Sequence, residues 1–136
     1  MTSPQVRLYG YDGCDSCRAA RRFLAARGVA YAHLAIREQP PEEGELREMA
    51  ARLGDWGKVC NRSGREYREQ GLKAVLPSLS DEEVVRRLRA EGNLVKRPFL
   101  VCGDGRGAVG FKLAEWEALF PEAGGVDTGT GGRGAI

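Results

Sequence analysis

No apolar run in this 136-residue chain approaches the roughly 20 residues that a membrane-spanning helix needs. The first residues, Met1-Thr-Ser-Pro-Gln, reach Arg7 without the apolar core of a signal peptide. The expected location is therefore the cytoplasm, with no membrane contact. A large charge of one sign is also missing: 21 Lys and Arg against 19 Asp and Glu leave a formal +2, which gives no support to direct nucleic-acid binding by broad electrostatics. Histidine occurs once, as His33, and its place in an apolar strand pattern suits a structural role. Cysteine occurs four times. In a reducing compartment so few thiols are not expected to form permanent disulfides, so a closely spaced pair points to catalysis, redox sensing or metal binding.

The remaining composition, 42% apolar and 29% charged, is that of one ordinary globular domain. Val6 to Tyr9 alternates like a strand, Gly10 to Gly13 supplies a turn, and Asp15 to Arg27 carries a helical stripe through Cys17, Ala20, Phe23 and Leu24. Tyr31 to Ile36 reads as a second, well-buried strand, parallel to the first across the helix. Helical patterns follow at Glu42–Leu53, with Gly54 and Gly57 closing it, and more weakly at Arg65–Lys73. Another begins at Ser80, where a capping box with Glu83 is expected. Pro98–Cys102 and Ala108–Phe111, separated by Gly-Asp-Gly-Arg-Gly, form a hairpin pattern. Leu113, Trp116 and Phe120 then share a helical face. The ends of the chain thus supply βαβ and ββα around a helical insertion at about 40–92. The expected fold class is α/β: a thioredoxin-like mixed sheet flanked by helices, in one domain at 1–123. The Gly-rich segment 124–136 has little to bury and reads as a disordered tail.

The chemistry concentrates in "YGYDGCDSCRAARRFL", residues 9–24, where Cys14 and Cys17 bracket the strand-to-helix turn. A thiolate is the nucleophile, and at an ordinary pKa of about 8.5 a cysteine is mostly protonated at neutral pH. The free N–H groups and positive dipole end of the following helix favour the charged form of Cys14, and Arg18 and Arg21 add positive charge. Cys17, one turn further in and leaning toward the core, suits a resolving thiol. Zinc is a weaker reading: it needs four ligands, and Cys60, Cys102 and His33 are scattered singly. Cys102 fits a buried small residue, and Cys60 sits in a turn-like segment.

Three stretches taken together, residues 9–24, "CNRSGREYREQGL" at 60–72, and "NLVKRPFLV" at 93–101 with "VGFKLAEWEALF" at 109–120, resemble the ArsC/Spx family of arsenate reductases and Spx-type redox regulators. The resemblance implies a cis peptide bond at Arg97-Pro98, a position where proline makes that isomer accessible. It further implies that Arg97 lies beside the active cysteine and binds an oxyanion, helped by Asn61, Arg62 or Arg18. The substrate is then a small oxyanion or thiol. The reductant is glutaredoxin with glutathione, or thioredoxin, and no tightly bound cofactor is expected. Two departures separate the chain from the family reductases. A further arginine expected late in the sheet region is replaced by Phe111, with Lys112 beside it and Arg106 in the preceding loop, and Cys17 is a feature of the Spx branch. An Spx-type role implies RNA polymerase as partner.

Overall fold

The computed structural model describes residues 5–121, so the expected tail at 124–136 lies outside the described residues. Four strands form one mixed sheet in the order β2-β1-β3-β4, with β1 (Val6–Gly10), β2 (Ala32–Ala35), β3 (Phe99–Cys102) and β4 (Gly107–Val109). β1 runs parallel to β2 and antiparallel to β3, which pairs antiparallel with β4. The parallel pair is joined by α1 (Asp15–Ala26) and the antiparallel pair by a hairpin. Together they give the βαβ and ββα halves of a thioredoxin-like layer.

Alternation along β1 sends Leu8 to one face and Tyr9 to the other, so the sheet carries two apolar cores. On one face Leu8, Leu24 and Leu100 pack with Trp116 of α7 (Leu113–Leu119). Phe23, Phe111 and Trp116 meet there, with ring centroids 5.0–6.1 Å apart. On the other face Tyr9 and Phe99 meet edge-on under the segment between β2 and β3. That segment holds α2 (Glu43–Leu53), α3 (Trp56–Val59), α4 (Arg65–Glu69), α5 (Leu72–Val75) and α6 (Asp81–Ala90).

The structure departs from the sequence pattern in several places. β2 is an edge strand whose residues are only partly covered, although its apolar content suggested full burial. Gly57 lies inside α3 rather than closing α2, which ends at Gly54. The Arg65–Lys73 pattern is two short helices, because Gly71 takes a left-handed conformation at φ 61°. At Ser80 the hydroxyl accepts from the Glu83 N–H as expected, but the Glu83 carboxylate pairs with Arg86 and Arg87 instead of closing the box. Leu113 is 54% exposed and does not join Trp116 in the core.

The full capping box occurs instead at the start of α2, at Glu42 and Glu45. The Glu45 carboxylate also accepts from the Tyr9 hydroxyl at 2.6 Å and faces Arg7 at 3.2 Å, while Arg7 donates to the same hydroxyl. Burial, with the Glu45 hydrogen bond, pushes the Tyr9 phenol up to about 12. One carboxylate thus caps α2 and holds the insertion to the central strand. Glu45→Ala leaves a buried hydroxyl without its acceptor and removes half of the cap, at an expected cost of about 2 kcal/mol. Glu45→Gln, which keeps an acceptor oxygen, should lose less. Urea unfolding measures both, and equal losses for the two variants would contradict this account.

Candidate active site

Cys14 is the N-cap of α1. Its backbone is extended (φ −101°, ψ 120°), and its Sγ accepts from the Cys17 N–H at 3.3 Å. The sulfur thus occupies the place that a serine or aspartate oxygen takes at other helix starts, against a free backbone donor and the positive end of the helix. Cys14 is half-buried, whereas Cys17, one turn in, is 1% exposed. Burial, reinforced by the hydrogen bond with Cys14, pushes the Cys17 thiol up to about 12, against a smaller opposing pull from Arg97. Gly10 makes this packing possible: a Cβ there would lie 2.7 Å from the Cys17 sulfur.

Arg97 precedes the cis peptide bond to Pro98, the isomer that the resemblance implied. Its guanidinium lies over the Tyr11 ring, 4.5 Å from the centroid, and Nη2 donates to the Tyr11 hydroxyl at 3.5 Å. Nη1 is buried without a hydrogen-bond partner. A second guanidinium, Arg37, lies 4.0 Å from the same ring centroid and donates to Asn93 at 2.9 Å. Tyr11 therefore organises two cations beside the thiol turn, and its backbone carbonyl accepts the Cys14 N–H. Tyr11 lies within the 9–24 stretch with no role assigned to it, and Arg37 lies outside the motifs. The available signal was an aromatic residue between strand and thiol, but nothing local shows that distant arginines stack on it.

Two of the other expected anion contacts have partners of their own. Arg18 donates to the Asp12 carbonyl and pairs with Asp15, so its charge is countered within the turn. Arg21 similarly meets Asp12 and the Tyr31 hydroxyl. The Asn61 amide donates to the Asn93 carbonyl. Arg62 is exposed, and its field acts on Cys60 and Tyr67 of the insertion. Arg106 is held by Asp104 and the Leu119 carbonyl, and Phe111 is committed to the aromatic cluster.

Cys60 and Cys102 are buried, and burial raises both thiols, Cys60 to about 11. Among the described residues no group of three or more His, Cys, Asp or Glu side chains is placed to hold a metal ion. Nor is any of their helices long and apolar enough to cross a membrane. His33 has a buried Nε2 without a partner, and burial, with Arg21 nearby, lowers its pKa. The unfolded chain, with an ordinary value of about 6.5, then takes up the proton first. His33 stabilisation is complete above that value and is lost as pH falls through the lower folded one. The urea midpoint should therefore drop between pH 7.5 and 5.5 by more in the wild type than in His33→Gln.

Relatives share most of this length. YusI of Bacillus subtilis (strain 168), described as uncharacterized, is 37% identical over 113 residues, 82% of this chain and 95% of its own. An arsenate reductase of Neisseria meningitidis serogroup A is 28% identical over 123 residues, covering 86% of this chain and 99% of that one. The global transcriptional regulator Spx of Listeria innocua is 28% identical over 116 residues, 85% and 87% of the two chains. The crystal structure of a possible arsenate reductase from Streptococcus mutans UA159 matches with a TM-score of 0.78 and 32% identity, over 87% of this chain and 100% of that one. The ArsC family model matches residues 9–119, the whole of the region that holds the thiol turn, the insertion and the cis-proline hairpin, and the chain belongs to the ArsC family.

Proposed function

We propose that the protein is a cytoplasmic thiol-disulfide oxidoreductase that acts on a small oxyanion, with arsenate the leading substrate. The observation that carries this reading is the Cys14 sulfur seated on the Cys17 N–H at the start of α1, with the Cys17 thiol buried behind it. The Cys14 thiolate attacks arsenic, a sulfur–arsenic bond forms, and an arsenate oxygen leaves as water after protonation. Cys17 then attacks the Cys14 sulfur. The sulfur–arsenic bond breaks with its electron pair passing to arsenic, which falls from As(V) to As(III). The Cys17 proton goes to an oxygen of the departing arsenite. Thioredoxin, or glutathione with glutaredoxin, returns two electrons and two protons to the disulfide. Arg97 neutralises the anion through its unpartnered Nη1, and no tightly bound cofactor takes part.

The test is arsenite production by the purified protein, with the thioredoxin and glutathione–glutaredoxin systems supplied separately. Arg97→Ala should lower kcat/KM for arsenate by at least about tenfold. An unchanged value removes that residue from the assignment. One observation favours a second reading, an Spx-type regulator that docks on RNA polymerase: Phe111 occupies the place of an expected arginine and packs, partly buried, against the Phe23 and Trp116 rings. Specific co-purification with RNA polymerase, together with no arsenite from either reductant, would decide for the regulator.

A further inference from the structure

The open edge of β4 forms the floor of a groove of about 610 Å³, walled by helices from opposite faces of the sheet. One wall comes from α2 and α3 and the loop after them, with Arg52, Lys58 and Arg62; the other comes from α7, with Ala118 and Leu119. Lys96 and Lys112 add two further cations, and Glu115 is the one carboxylate on the lining. Outside the groove Arg47, Arg65, Arg86, Arg87, Arg89 and Arg106 each pair with a carboxylate. Lys58, Arg62, Lys96 and Lys112 form no ion pair among the described residues. The lining thus carries five cations against one carboxylate.

The strand beneath has free bonding capacity. The Cys102 N–H donates to the Arg106 carbonyl and the Gly110 N–H to the Pro98 carbonyl, each at 2.8 Å, and Leu100 faces Ala108 between them. Bonded pairs alternate along an antiparallel ladder, so the N–H and C=O groups of Gly107 and Val109 point away from β3, into the groove. An unpaired edge of this kind accepts an added strand.

We propose that this groove binds an extended acidic segment of a partner protein as a fifth strand on β4. Side chains of the added strand alternate between the walls. Carboxylates at every second position meet the cations of the α2–α3 wall, and small apolar residues between them meet Ala118 and Leu119. This site goes beyond the thiol chemistry and does not depend on it.

The test uses the full chain and a fluorescein-labelled octapeptide alternating Glu with Val, followed by anisotropy at low and physiological salt. Its Lys/Val counterpart, a Gln/Val peptide and a single-stranded oligonucleotide serve as alternatives. The Glu/Val peptide should bind at least tenfold more tightly than the other two peptides and the oligonucleotide. The Lys58→Glu/Lys112→Glu double variant should weaken it by tenfold or more. On peptide addition to the wild type, amide exchange at Gly107 and Val109 should slow while that of Ala108 stays as it was. Equal binding of Gln/Val, preference for the oligonucleotide, no binding, or binding without protection of the two edge amides each overturns the proposal.

Discussion

Cys14→Ser should abolish the proposed arsenate-dependent thiol oxidation, by on the order of a thousandfold or more, because no other sulfur can replace it. Cys17, Cys60 and Cys102 are buried, and in each case loss of solvent raises the thiol pKa and opposes the anionic form that attacks. Cys17→Ser should behave differently. The first attack survives and, with no small thiol present, the enzyme accumulates as the Cys14–arsenic adduct, visible in the intact mass. Brief alkylation of the native wild type, followed by peptide mapping, should label Cys14 well ahead of the other three cysteines. A Cys14→Ser variant that keeps more than a tenth of the activity, or Cys17 labelled first, would end the assignment of roles.

Gly92→Ala should produce the largest loss of stability among conservative changes, about 3 kcal/mol or more, and a fall in Tm on the order of 10 °C. A Cβ at Gly92 would lie 2.0 Å from the Ile36 carbonyl oxygen, 2.9 Å from its carbonyl carbon and 3.0 Å from the Arg37 Cα. All three are backbone atoms, so no rotamer change relieves the contact and the two chain segments must separate. The separation would also strain the Arg37–Asn93 hydrogen bond, and with it the position of the guanidinium over Tyr11. Gly44→Ala is the matched control: it lies in α2 with nothing within 4 Å of the new methyl group. Alanine there should stabilise by roughly 0.5–1 kcal/mol through its helix preference. Thermal unfolding of the two variants side by side checks both signs.

Local pattern carried the reading of the sequence wherever the physics is local. The period of Cys17, Ala20 and Leu24 marks α1, and two apolar runs around a glycine-rich turn mark the β3–β4 hairpin. The Cys14–Cys17 spacing across a strand-to-helix turn is enough to place one sulfur at a helix start. Other features depend on which segments meet. The composition of β2 says nothing about having a single neighbour, which is what leaves it partly exposed. Glu45 reads as an ordinary exposed helix residue until Tyr9 and Arg7 are brought to it. Tyr11 gains its role only when Arg37 and Arg97 arrive from separate parts of the chain. The partner of Asn61 is likewise set by the fold: it follows the bridge that ties Cys60 to Val95, and its amide donates to the carbonyl of Asn93, whose side chain accepts from Arg37.

The two tryptophans stand on opposite sides of the sheet. Trp116 is fully buried with its indole N–H on the Gly110 carbonyl, and Trp56 is partly exposed with its N–H on Asp81. Intrinsic fluorescence therefore carries two separable signals: a blue emitter protected from iodide in the aromatic layer, and a redder, quenchable one in the helical insertion. Single Trp→Phe variants would let an observer watch either layer loosen without disturbing the other.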